Sequence, residues 1–210
     1  MVLMLFMLLL ISCSSDDDGI SGYGTGKIGD QRWMTENLSV NVSGSKCYDN
    51  KSSNCDKYGR LYNWAAAMAL PDSCNHKNCT SIISEKHRGI CPSGWHIPDD
   101  AEWRVLVDSV GGSSIAGRYL KATNGWRSCG KGDSYSFQCE DKYGFSALPG
   151  GRGYPVGTFK FAGEYGFWWS AKEYRDDAAY YRDLVYNSDV AEWYQYGDKN
   201  HFLSVRCVRD

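Results

Sequence analysis

Nine cysteines in 210 residues constrain this chain more than any other feature. Cys13 stands apart, closing a run of twelve uncharged, mostly apolar residues, while the other eight lie between positions 47 and 207. In an exported chain an even cysteine count reads as a disulfide framework. Eight cysteines permit 105 connectivities, but three pairs sit close together within polar, turn-rich stretches: Cys47 with Cys55, Cys74 with Cys79, and Cys129 with Cys139. Each bridge would pin a loop. Cys91 and Cys207 remain, and joining them closes a loop of more than a hundred residues. In the loop-closure model such a bridge removes about 4–5 kcal/mol of unfolded-chain entropy.

Export is argued from the opening "MVLMLFMLLLISCSSDDDG". The apolar run is too short to span a bilayer and fits the apolar region of a secretory signal. No Lys or Arg precedes it, which departs from the usual signal. Leu10-Ile11-Ser12-Cys13 resembles a bacterial lipobox, so residues 1–12 are expected to be removed and Cys13 to be lipidated. Several acyl chains on one cysteine exceed what stable anchoring needs, at about 0.8 kcal/mol per buried CH₂. Ser14 followed by Asp16-Asp17-Asp18 resembles lipoproteins sent to the outer membrane, in some lineages to its outer face. Residues 13–26, rich in Ser, Asp and Gly, read as a flexible acidic tether. Residues 27–210 read as a single domain, with no tandem repeat and no internal linker.

A net charge of −2 argues against nucleic acid, whose affinity grows with clustered Lys and Arg. Aromatics reach 14%, and 23 Gly outnumber 5 Pro, a mix that suggests loop-rich β architecture. "KIGDQRWMTENL" alternates apolar residues around Gly29-Asp30 and reads as a hairpin. "YGRLYNWAAAMAL" has the alanine content of a helix ended by Pro71. The span from Asp72 to Gly89 reads as a surface loop. Beyond Asn124, "GFSALPGG", "FWWSA", "AYYRDLVY", "VAEWYQYG" and "FLSVRCV" read as strands, with Trp168 and Trp169 in or near the core.

"CPSGWHIPDDAEW", Cys91 to Trp103, holds a thiol, an imidazole and three carboxylates. As a metal site it would recruit Cys91 and His96, with Cys74, His76, Cys79 and His87 as further soft ligands. The spacing is poor, with no CxxC and no His pair at i, i+4. Capping explains the acids better: Asp99 and Glu102 stand at capping-box spacing before a helix whose Trp103, Leu106, Val107 and Val110 share one face. Gly111-Gly112 ends it, and a second short helix over about Ser114–Lys121 puts Ile115, Tyr119 and Leu120 on one side. None of the four histidines lies in a catalytic pattern. "GYGTGKI" misses a phosphate-binding loop because Ile28 stands where Ser or Thr must hold Mg²⁺. Asn37-Leu38-Ser39 and Asn78-Cys79-Thr80 are triplets expected by chance.

The ligand-binding candidates are the aromatic and polar residues Trp193, Tyr194, Tyr196, Asp198 and Asn200, with Tyr174 and Arg175. Flat rings bury area at low entropy cost while neighbouring polar groups fix orientation, the side-chain set used in sugar or protein recognition. The bland alternative is ordinary strand residues with solvated tips.

Seven phrases, in order, resemble the Fibrobacter succinogenes major paralogous domain: "KIGDQRWMTENL", "CYDNKSSNCDKYGRLYNWAAAM", "CPSGWHIPDDAEW", "DKYGFSALPGGRG", "WWSAKEY", "AYYRDLVY" and "SVRCVRD". The resemblance runs from Lys27 to Asp210. It implies an α+β, C-type-lectin-like fold: a twisted antiparallel sheet with flanking helices, long disulfide-pinned loops, and the first and last strands brought together. "LYNWAAA", "GWHIPDDAEW" and "VRCVRD" are more distantly similar to formylglycine-generating and sulfatase-modifying enzymes. No counterpart of the cysteine pair behind their copper-dependent oxidation is found. Nor does the chain contain the Glu-Pro-Asn, Gln-Pro-Asp or Trp-Asn-Asp tripeptides of calcium-using lectins. No catalytic residue, metal site or cofactor is therefore expected, although scattered Asp residues and carbonyls leave a structural calcium open. The expectation is a non-enzymatic, outer-membrane-anchored module binding polysaccharide or a partner protein. A modifying enzyme on the same scaffold and a passive envelope component are its rivals.

Overall fold

The computed structural model describes residues 22–129, 137–191 and 195–210. The lipidation candidate Cys13, the expected signal at residues 1–12 and residues 14–21 of the expected tether lie outside them, whereas Thr25 and Gly26, expected to be tether, already pair as a strand with Met34 and Trp33. In chain order the strands are β1 Thr25–Ile28, β2 Gln31–Met34, β3 Ser45–Lys46, β4 Leu61–Tyr62, β5 Trp95–His96, β6 Arg152–Gly153, β7 Phe159–Lys160, β8 Tyr165–Arg175, β9 Ala178–Val185, β10 Gln195–Asp198 and β11 Val208–Arg209. The helices are α1 Ser52–Tyr58, α2 Trp64–Ala67, α3 Asp100–Ser109 and α4 Ser113–Leu120. The result is a mixed α and β fold with several small antiparallel sheets, ordered β1-β2-β11-β5, β10-β9-β8, β3-β4 and β6-β7.

The opening hairpin forms where the alternation placed it, with Ile28 facing Gln31 across the two-residue Gly29-Asp30 turn. Its second strand meets the last one: Val208 pairs with Trp33 on one side and with His96 on the other. Chain ends far apart in sequence thus share one sheet, and Cys91–Cys207 crosses the same junction with Cα atoms 6.1 Å apart. The other bridges are Cys47–Cys55, Cys74–Cys79 and Cys129–Cys139.

Helix α3 begins with the capping box. Asp99 Oδ1 accepts from the Glu102 amide at 2.9 Å, and Glu102 Oε2 accepts from the Asp99 amide at 3.0 Å. Trp103, Leu106, Val107 and Val110 are buried in a cluster with Trp33, Phe145 and Trp168. On α4 the buried face is Ala116, Gly117 and Leu120, with Ile115 and Tyr119 only half-buried. Gly117 sets that face, because its amide donates to the Asp189 carbonyl at 2.8 Å and a Cβ would stand 2.8 Å from that oxygen.

Four expectations are corrected. The "YGRLYNWAAAMAL" helix shrinks to α2, because Tyr62 is drawn into strand pairing with Ser45 and Leu203 and Asn63 caps the short turn that follows. A helix not expected, α1, forms in the polar cysteine stretch, closed by the Cys47–Cys55 bridge. "GFSALPGG" and most of "FLSVRCV" make isolated bridges rather than strands, since their backbone partners come from several segments in turn. The 72–89 loop is partly core: Cys74, Asn75 and Cys79 are buried, and the Asn75 side chain accepts from the Ala65 amide at 2.9 Å.

Buried polar groups join these pieces. Asn37 Oδ1 accepts from Trp168 Nε1 at 2.8 Å and from Arg206 Nη2 at 2.7 Å, while its Nδ2 donates to the Tyr58 carbonyl at 2.9 Å. Lys199, fully buried, pairs with Glu173 at 2.5 Å and donates to the carbonyls of Cys74 at 3.0 Å, Lys77 at 3.3 Å and Asp176 at 2.9 Å. Glu173 in turn accepts from the Cys79 amide at 3.0 Å and the Thr80 hydroxyl at 2.6 Å. His96 is buried with both ring nitrogens on carboxylates, Nδ1 to Asp210 at 2.7 Å and Nε2 to Glu102 at 2.6 Å. Both bonds are satisfied only by the doubly protonated ring.

Lys199→Met strands a buried carboxylate and several carbonyls, so urea unfolding with disulfides intact should show a loss of about 3–5 kcal/mol. The Lys199→Met/Glu173→Gln double variant should recover part of it, and full additivity would contradict the coupling. Burial opposes charge on His96, but the bonds to Glu102 and Asp210 outweigh it and raise its pKa above the ordinary 6.5. Its contribution is therefore complete below pH 6.5 and lost as pH rises through the higher folded-state value. Measured as urea midpoints, the advantage of the native chain over His96→Gln should shrink between pH 6 and 9; a constant gap would refute the charged ring. The paired comparison cancels Lys121, which burial lowers to about 8 and which acts in the opposite sense.

Candidate functional site

The candidate site grows from an irregularity in β8. From Gly166 to Ala171 this strand is buried on both faces, with Trp168 and Trp169 in the core and their indole nitrogens donating to Asn37 and to the Tyr62 carbonyl. Its pairing with β9 then shifts register between Trp169 and Glu173 and again before Arg175. Such a shift re-aims the side chains that follow. Beyond it Glu173 turns inward to Lys199, while Tyr174 emerges 44% exposed.

Tyr174 meets two tyrosines of the neighbouring strands. Tyr180 on β9 faces Tyr196 on β10 directly across the ladder, which places both on one face. Tyr174 stacks on Tyr196 with centroids 4.0 Å apart and 22° between planes, and it meets Tyr180 edge-on at 5.4 Å. Tyr196 is 49% exposed. Lys172 Nζ lies 5.4 Å over the Tyr180 ring, and the Arg175 guanidinium 5.9 Å over Tyr174. Arg175 also holds Asp177 at 2.8 Å, and that hydrogen bond keeps the Asp177 carboxyl below the usual carboxylate range. The pair is exposed and adds little stability; what it does is fix the guanidinium beside the ring.

Of the sequence candidates, Tyr174, Arg175 and Tyr196 thus come together. Asp198 and Asn200 lie at the end of the same edge strand and are spent on each other: Asp198 Oδ1 accepts from the Asn200 amide at 2.8 Å and from its Nδ2 at 2.9 Å. That closes the turn leading to Lys199. Trp193 and Tyr194 lie outside the described residues. Sequence reasoning missed Tyr180 and Lys172, although the "AYYRDLVY" alternation next to a Tyr-bearing strand was the signal for the first.

Lys172 also lines a cleft of about 270 Å³ beside the tyrosines, whose other walls include Ile83, Lys86, His87, Asp99 and Ala171. Two of its polar groups are engaged: His87 Nε2 donates to the Met68 carbonyl at 2.8 Å, and Asp99 caps α3. The histidine and the cysteine of "CPSGWHIPDDAEW" are engaged as well, His96 by two carboxylates and Cys91 by Cys207. Among the described residues no three His, Cys, Asp or Glu side chains gather as a metal would require. His201 is half-buried edge-on to the Tyr154 ring at 5.0 Å, and burial lowers its pKa. Chemically the surface offers ring faces, hydroxyls and two cations, and no paired nucleophile and base.

The model of the Fibrobacter succinogenes major domain matches residues 27–209. No curated protein and no solved structure matches the chain.

Proposed function

The chain belongs to the Fibrobacter succinogenes major domain family, and from that premise we propose that it is a C-type-lectin-like display module that binds polysaccharide through Tyr174 and Tyr196. In this reading Cys13 anchors it by lipid to the outer membrane, and no reaction is catalysed. The lectin-like assignment is supported by first and last strands that share one sheet, by loops pinned with disulfides, and by a separate antiparallel sheet that presents the tyrosines.

The exposed stacked pair carries the proposal. Buried rings would have favoured a passive envelope component; exposures of 44% and 49% favour contact with a partner. Stacking holds each ring in place before any ligand arrives, so binding orders few further rotamers, and the ring surfaces left open can cover the apolar face of a pyranose. Lys172, Arg175 and the tyrosine hydroxyls supply the polar contacts that orient it. Against the modifying-enzyme reading, all eight cysteines of residues 27–210 are in disulfides, leaving no thiol there for oxidative chemistry.

Affinity electrophoresis against a panel of soluble polysaccharides, with pull-down on insoluble ones, tests this. At least one polysaccharide should retard the native chain, and Tyr174→Ala and Tyr196→Ala should each weaken that binding about tenfold or more, a cost of about 1.4 kcal/mol. Val156→Ala, on the exposed β6–β7 turn, should leave it unchanged. Retardation that both tyrosine variants retain would move the site elsewhere, and no retardation across the panel would return the passive reading.

A further inference from the structure

The Cys47–Cys55 bridge differs from the other three in its surroundings. Cys91–Cys207 and Cys74–Cys79 are enclosed by the hydrophobic core, no sulfur-bearing residue among them more than 3% exposed. Cys129 and Cys139 pack against the second apolar cluster. Cys47 and Cys55 instead line an open, polar groove of about 790 Å³, together with Glu36, Ser52, Asp56, Lys57 and Arg60.

Arg60 is clamped against this bridge. Its Nε donates to Ser45 Oγ at 2.9 Å and its Nη2 to the Ser45 carbonyl at 3.4 Å, and this fixes Nη1 at 3.6 Å from both sulfurs. A neutral disulfide sulfur is a weak acceptor and gains little from that contact. A thiolate gains much more, because a cation beside it favours the ionised form. The contact is thus worth most in a state that the oxidised chain does not populate.

We propose that Cys47–Cys55 is a thiol–disulfide exchange site, at which Arg60 stabilises the thiolate released when an external dithiol reduces the bridge. One thiolate of the dithiol attacks the sulfur of one cysteine, the bond between Cys47 and Cys55 breaks, and the other cysteine departs as a thiolate facing Arg60. The second thiol of the dithiol loses its proton and attacks the mixed disulfide, releasing the first cysteine. The dithiol ends as a disulfide, two electrons pass to the cysteine pair, and the two thiol protons go to the released cysteines or to solvent. A stabilised leaving thiolate departs faster, so Arg60 speeds the opening of this bridge. Lys57 reinforces the positive field of the groove, while Glu36 and Asp56 on its wall oppose it.

The test treats the folded chain with dithiothreitol without denaturant, quenches with an alkylating reagent at intervals, and maps labelled cysteines by peptide mass spectrometry. Cys47 and Cys55 should be labelled at least about tenfold faster than Cys74, Cys79, Cys91 and Cys207. Arg60→Met should slow that labelling about threefold or more while leaving the others unchanged, and Arg60→Lys should restore part of the rate. A second readout is the pH profile of alkylation once the bridge is open: half-reactivity should fall below the ordinary thiol value of about 8.5 in the native chain and return to it in Arg60→Met. Labelling no faster than at the buried bridges would overturn the proposal, as would equal or faster labelling in Arg60→Met, the sign that Arg60 merely holds the loop shut. If Arg60→Met fails to fold, a native half-reactivity at or above 8.5 overturns it by itself.

Discussion

The buried ion pair of Lys199 and Glu173 is the contact on which the exposed tyrosine surface depends. Its ammonium gathers carbonyls from the 70s loop and from the turn after β8, and its carboxylate partner sits one residue before Tyr174. Taking both charges out of water is costly, and the cost is offset by three carbonyls turned toward the ammonium and an amide and a hydroxyl turned toward the carboxylate. The register shift in β8 becomes intelligible on these terms. Glu173 must point inward to meet Lys199, and the alternation of side chains along a strand then sends Tyr174 outward.

The same device recurs. Most of this chain is neither helix nor long strand, so many buried carbonyls lack a ladder partner, and buried carbonyls must be satisfied by something. Buried cations, Lys199 among them, supply donors. Lys121 reaches the carbonyls of Val185 and Ser188, and Arg206 reaches those of Met34, Phe145 and Ser146. Neither is paired as Lys199 is, and burial lowers the pKa of both. Eight disulfide-bonded cysteines hold the loops in outline, while these cations fasten their backbones to the core.

How much of this could be read from the sequence follows from the range of each interaction. The capping box, the β1–β2 turn and the short disulfide loops depend on residues within about ten positions of one another, and their chemistry is written locally. Two-residue strands such as β3, β4 and β11 carry no periodicity to detect. Helix α1 lies in a stretch whose polarity masks it, and α2 is shorter than its composition suggests because three alanines look alike in a long helix and in a single turn. At the candidate site, aromatic density pointed to Tyr174 and Tyr196, but the partnership with Tyr180 needed the strand register. Hubs were the least legible. Asn37 reads as a chance triplet, yet it joins the stretch after β2 to the end of α1, to β8 and to the segment before β11, the last two contacts more than a hundred residues apart and encoded by no local pattern.

The oxygen cage around Lys199 has a consequence for how the chain responds to ions in its surroundings. Three carbonyls and a carboxylate turned toward one positive centre resemble the shell of a bound inorganic ion, but here the centre is covalently attached to the polypeptide. Chelators and swings in hardness of the surrounding medium cannot extract it, so the loops around this cage keep their shape where a mineral-dependent counterpart would slacken.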